Sequence, residues 1–231
     1  MTLKFDDGLK EQMSNVRLIA FDVDGTLTDS IDQIILCFTR TFSHCGLPVP
    51  SAEAVKGTIG MSLYLGIKSL LPDPTDERLA AEVTQLYRDT FAVSKDINVT
   101  RLFDGTLDML AALKDHGYEL AIASGKSKVG VDRLFVDVPE LKQYFSVICT
   151  GDDCESKPSP AMINLISARS GTPVDRIIGV GDAVLDIQML RNAGAHELAV
   201  LTGACDYYAF DDLDTEFILP KATDILKYIC P

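Results

Sequence analysis

Short apolar runs rich in β-branched residues recur along this chain, and helical patterns separate them. The runs are "VRLIAFDVD" (16–24), "YELAIAS" (118–124), "FSVICTG" (145–151), "RIIGVGD" (176–182) and "HELAVLT" (196–202). Between the later ones lie "KVGVDRLFVD", "SPAMINLISARSG" and "VLDIQMLRNAG", and "TLDMLAALKDHG" precedes the second. These segments carry apolar residues at helical spacing, with Gly117, Gly171 and Gly194 as stops. Strands that are apolar throughout are covered on both faces, and their alternation with helices specifies a parallel sheet. The expected fold class is therefore α/β, a doubly wound, Rossmann-like parallel sheet. A chain of 231 residues has room for one such domain with a smaller insert.

One interval breaks the rhythm. Residues 30–97 offer only helical segments, "SIDQIILCFTRTFSHCG", "AEAVKGTIG", "SLYLGIKSLL" and "DERLAAEVTQLYRDTFAV". That length is too great for a single connecting helix. The expectation is an inserted all-helical cap subdomain over residues 30–97, packed over the mouth of a core made of residues 1–29 and 98–231.

Composition narrows the function. With a net charge of −13 and no basic tract, a nucleic-acid backbone is not an expected partner. A small anionic substrate would need local positive charge, from a divalent metal or a placed lysine. No apolar stretch approaches a membrane span, and the polar N-terminus does not read as a signal peptide. The expected location is cytoplasmic, with no membrane partner, as a monomer or homodimer. The six cysteines form no C-x-x-C pair and read as reduced structural thiols.

Polar residues collect at the carboxyl ends of the expected strands, where open parallel sheets bind ligands. Strand one ends in Asp22 and Asp24, and strand two in Ser124–Gly125. "GDDCESKPSP" follows strand three and carries Lys157; strand four ends in Asp182, with Asp186 a helical turn beyond. Singly, each has a structural explanation: a turn, a strand exit, a solvated loop, a surface acid. Their joint placement is what points to chemistry. Asp22, Asp24 and Asp182 have the oxygen donors that suit Mg²⁺. An aspartate is a competent nucleophile toward phosphorus, a second acid two residues on suits general acid–base work, and a lysine can neutralise phosphoryl oxygens.

The segments "DVDGTLTDS", "ASGKS", "SKPSP" and "GVGDAVLDIQMLRNAG" resemble the four ordered motifs of the haloacid dehalogenase-like hydrolases. The resemblance is closest to the phosphoglycolate phosphatase and β-phosphoglucomutase branch with a helical cap, and it runs from about Val16 onward. It implies a Mg²⁺-dependent phosphatase of small phosphorylated metabolites working through an aspartyl phosphate. Asp22 would be the nucleophile, and Asp24 the acid–base and the donor of a backbone carbonyl to the metal. Thr26, Ser124 and the Gly125 amide would support or bind the phosphate, and Lys157 would bridge phosphate and nucleophile. Asp182 would bind metal, and Asp186 would orient Lys157 or a metal water. Gly125 departs from the Asn of many relatives, and Ala183 from a common Ser or Thr.

Within "GTIGMSL", Gly60, Met61 and Ser62, with Gly57 before them, are either a specificity loop reaching the site or a plain helix–helix turn. The alternatives to a phosphatase are a phosphosugar mutase of the same superfamily and, from another class, a non-catalytic or signalling phospho-Asp domain.

Overall fold

A computed structural model of the chain describes residues 7–94 and 99–229. Six parallel strands form one sheet: β1 (Leu18–Phe21), β2 (Glu119–Ala123), β3 (Phe145–Cys149), β4 (Ile177–Gly181), β5 (His196–Val200) and β6 (Phe217–Leu219). They lie in the order β3-β2-β1-β4-β5-β6. The chain builds outward from β1 on one side and then returns to place β4 on the other, so the order reverses between β1 and β4. Phe21 pairs with Val180 across that junction. Such a reversal opens a crevice at the carboxyl ends of the two strands.

Alternation along each strand feeds two cores. In β1, Ile19 and Phe21 join one cluster with Met109, Leu110 and Leu134. Leu18 and Ala20 join the opposite one with Met162, Ile166 and Leu190. Helices α6 (Thr106–Asp115) and α7 (Lys128–Asp137) cover the first face; α8 (Ala161–Ser170) and α9 (Val184–Ala193) cover the second. The five expected strands all form, each somewhat shorter than its apolar run. β1 stops at Phe21 because Gly25, with φ of 81°, turns the chain, and the Leu27 and Thr28 amides donate back to the Val23 carbonyl.

Among the elements that escape the periodicity are two short ones. Helix α1 (Asp7–Asn15) has only Leu9 and Met13 to bury, one turn apart, and both are sealed in the first core. Strand β6 has three residues, too few to show a pattern.

Among the described residues between 30 and 94 there is no strand. Four helices occupy the stretch: α2 (Ile31–His44), α3 (Ala52–Lys56), α4 (Leu63–Leu70) and α5 (Glu77–Val93). Ser51 and Asp76 start α3 and α5 by accepting from the Ala54 and Leu79 amides. The four helices share a separate apolar cluster that includes Phe38, Phe42, Val55, Ile67 and Val83. Their packing is thus satisfied among themselves, and their remaining surface is free to face the sheet edge. The return toward β2 expected near residue 97 lies outside the described residues, as does Cys230. The other five cysteines are free; burial pushes the Cys37 thiol up to about 11 and Cys149 up to about 12. No helix among the described residues is long and apolar enough to cross a membrane.

Candidate active site

Asp22 follows β1 directly, and its amide donates to the Val180 carbonyl at 2.9 Å, continuing the β1–β4 ladder. Its carboxylate accepts from Lys157 Nζ at 2.7 Å, and the same ammonium donates to Asp186 at 2.5 Å. The Lys157 side chain is fully buried. Burial alone would drive its proton off, but Asp186 and Asp22 together outweigh that and hold the lysine charged, above its ordinary value. Asp186 also accepts from the Ala183 amide at 3.0 Å. It thereby supplies at the start of α9 an anchor that the alanine side chain cannot.

Asp182, wholly buried at the end of β4, takes one hydrogen bond on each oxygen. The Thr26 hydroxyl donates at 2.9 Å and the Ala204 amide at 2.8 Å. The sequence reading set Thr26 at the phosphate; the structure directs its hydroxyl to Asp182 instead.

Asp22, Asp182 and Asp186 form a buried cluster in which each offers an oxygen within 4.8 Å of the others. The three carboxylates have one ammonium among them, bonded to Asp22 and Asp186, so negative charge is in excess. Burial, reinforced by Asp186 and Asp24 and opposed by Lys157, pushes the Asp22 carboxyl up to about 7. Burial, then Asp186 and Asp22, hold the Asp182 carboxyl well above the usual carboxylate range. An all-oxygen donor set with surplus negative charge fits a hard divalent cation such as Mg²⁺.

Asp24 stands apart from that cluster. Its carboxylate pairs with Lys126 Nζ at 2.8 Å and accepts from the Ser30 hydroxyl at 2.7 Å. Its carboxylate is not a member of the buried acid cluster. Lys126 is a residue that the sequence reading did not single out, although it directly follows Ser124–Gly125 at a strand end.

Ser124 is buried at the end of β2, and its hydroxyl oxygen accepts from the Lys126 amide at 3.3 Å. The loop after β3 is tied to this turn, because the Gly151 amide donates to the Lys126 carbonyl at 2.9 Å. Gly125 is pinned by contact from above. A Cβ there would lie 2.5 Å from the Gly60 carbonyl oxygen and nearer still to that of Met61. The Ser62 amide donates to Ser156 Oγ at 2.7 Å, close to Lys157 in sequence. The loop 60–62 therefore rests on the sheet edge.

Between this edge and the helices lies a cavity of about 740 Å³. Asp22, Asp24, Ser124, Gly125 and Lys126 form its polar floor, and Gly60, Met61 and Ser62 line its wall. Gly57, which ends α3, is not among the lining residues. Lys157, Asp182 and Asp186 lie buried behind Asp22.

Fold, strand-end acids and buried lysine define a doubly wound α/β protein with a candidate active site where the strand order reverses, and comparison with known proteins supplies the family. The family described as haloacid dehalogenase-like hydrolase matches residues 19–200. The chain belongs to that family. Pyrophosphatase PpaX of Bacillus pumilus is 30% identical over 217 residues, covering 94% of this chain and 97% of the relative. The phosphoglycolate phosphatase of Aquifex aeolicus is 28% identical over 213 residues, covering 92% and 96%. Among solved structures, a haloacid dehalogenase-like hydrolase from Bacteroides fragilis superposes with a TM-score of 0.82 at 26% identity, covering 91% of this chain and 99% of the other.

Proposed function

We propose that the protein is a Mg²⁺-dependent phosphoric monoester hydrolase that works through an aspartyl phosphate on Asp22. The observation that carries this reading is the Lys157 ammonium between Asp22 and Asp186, buried at the β1–β4 crevice. The curated relatives, a pyrophosphatase and phosphoglycolate phosphatases, support it.

In this reading Asp22, the carbonyl of Asp24, and Asp182 hold the Mg²⁺. The ion, when bound, neutralises phosphoryl oxygens and offsets the acid cluster. A carboxylate oxygen of Asp22 attacks phosphorus as the ester P–O bond breaks, and Asp24 gives its proton to the departing alkoxide. Asp24 then takes a proton from water, whose oxygen attacks phosphorus and breaks the P–O bond to Asp22. Phosphate leaves and both carboxyls are restored. Ser124 and the Gly125 amide hold the phosphoryl group, Thr26 holds Asp182, Lys157 balances charge, and Asp186 fixes Lys157. Residues 30–97 act as the cap over a core of residues 1–29 and 98–231, with Gly60, Met61 and Ser62 as its contact loop. A cytoplasmic monomer or homodimer acting on a small phosphorylated metabolite belongs to the same reading.

The test is phosphate release from a panel of esters with Mg²⁺ or with chelator, followed by acid-quench mass spectrometry. Mg²⁺-dependent release with transient phosphate on Asp22 is expected. Undiminished release in chelator, label on another residue, or full turnover by Asp22→Asn would overturn it.

A further inference from the structure

The cavity above the acid cluster is built for something larger and less polar than a two-carbon acid or a second phosphate. Its volume of about 740 Å³ falls within the roughly 300–1,000 Å³ of pockets that enclose drug-sized ligands. The space is not a gap left by helices held away from the sheet. The loop 60–62 already touches the floor, with Gly60 and Met61 carbonyls on Gly125 and the Ser62 amide on Ser156.

Its upper wall carries a group of apolar side chains: Ile34 and Phe38 from α2, Leu63 from α4, Tyr87 and Phe91 from α5, with Met61 from the loop. Phe38 and Tyr87 pack edge to face, with ring centroids 5.0 Å apart at 62°. Both rings are nearly buried, at 3% and 8% exposure, so the pair is a fixed backing to the cavity. Gln85, Arg88 and Asp89 of α5, Arg133 of α7 and Asp152 line the same cavity, so polar groups stand beside the apolar ones above the floor.

A compact leaving group confined to the floor would leave Met61, Leu63 and Phe91 facing water. An aromatic body would remove them from water. We propose that the protein acts on phosphate monoesters of bulky primary alcohols, aromatic or heteroaromatic in the part that meets Met61, Leu63 and Phe91. This rests on the phosphatase reading and adds the class of alcohol.

The test holds leaving-group chemistry nearly constant by comparing primary-alcohol esters on the full chain with Mg²⁺. Ethyl phosphate, 2-phosphoglycolate, benzyl phosphate and pyridoxine 5′-phosphate form the set, with pyrophosphate beside them. Expected is a kcat/KM for the two aromatic esters at least tenfold above that for ethyl phosphate and phosphoglycolate. Phe91→Ala should shrink the benzyl-to-ethyl ratio about tenfold, and Leu63→Ala should do the same where Phe91→Ala fails to fold. Equal or better kcat/KM for phosphoglycolate, ethyl phosphate or pyrophosphate overturns the proposal and leaves the phosphatase reading standing. Failure to hydrolyse any member of the set overturns both.

Discussion

Lys126 Nζ stands 2.8 Å from one carboxylate oxygen of Asp24, while the Ser30 hydroxyl donates to the other at 2.7 Å. Both oxygens of the expected acid–base are therefore engaged on the cavity floor. In the proposed mechanism a phosphoryl group arriving beside Ser124 would bring its own negative charge to Lys126, which would then be shared between substrate and Asp24. In that mechanism the lysine would couple phosphate arrival to release of the Asp24 carboxylate.

Lys126→Gln removes that cation and keeps a side chain of similar reach. A charge-assisted hydrogen bond contributes about 1.5–3 kcal/mol, so KM for a phosphate ester should rise roughly ten- to hundredfold. Lys126→Arg, which keeps the charge, should recover much of the loss. Steady-state kinetics of the two variants check this; an unchanged KM in Lys126→Gln refutes the phosphate contact.

Lys157 is a harsher case, because it has no solvent to fall back on. Lys157→Met leaves Asp22 and Asp186 buried without their common partner. Removing one member of a buried charge network costs about 3–5 kcal/mol, and losing a charge stabiliser typically costs about 10²–10³ in kcat. Both effects should appear, as a lower thermal midpoint and as lost turnover. A midpoint within a degree of the parent chain would show that the network contributes nothing to folding.

Much of this site was legible before any coordinates, and the reason is local. Asp22, Ser124, Lys157 and Asp182 each follow an apolar run, and parallel strands bring such ends together. The Lys126–Asp24 pair was not legible, because it depends on how two separate strand-end turns meet and on rotamers that no spacing encodes. The Thr26 hydroxyl went to Asp182 for a similar reason: the tight turn at Gly25 carries it toward β4. Helix α1 escaped notice because two apolar side chains in nine residues barely register as a face. Gly125 read as a departure from an asparagine pattern, and its physical cause became visible only when the loop 60–62 was seen resting on it.

Gly125→Asn tests that contact. Any Cβ at this position meets the carbonyls of Gly60 and Met61, and backbone cannot yield as a flexible side chain does. The loop must lift, which should loosen the Ser62–Ser156 hydrogen bond. Faster amide hydrogen exchange at Met61 and Ser62 is the expected signature, together with a kcat/KM lowered several-fold. Unaltered exchange in an inactive variant would place the defect in phosphate binding alone.

The acid cluster makes folding depend on pH in a direction opposite to that of ordinary salt-bridged carboxylates. The Asp22 carboxyl moves from an ordinary 3.8 up to about 7 in the folded chain, and Asp182 moves upward too. Between about pH 4 and 7 the folded chain keeps a proton that the unfolded chain has lost. That contribution to stability is complete below the unfolded value and disappears as pH rises through about 7. Without metal, the thermal midpoint should therefore fall as pH is raised from 5 to 8. Mg²⁺ competes with the proton for the same oxygens, so it should raise the midpoint more at pH 8 than at pH 5. Asp182→Asn removes one charge from the cluster. It should lift the metal-free midpoint at pH 8 and diminish the gain from Mg²⁺. Thermal melts at fixed ionic strength, with Mg²⁺ or matched NaCl, measure all of these together. A Mg²⁺ shift of equal size at both pH values would mean that metal and proton do not share Asp22 and Asp182.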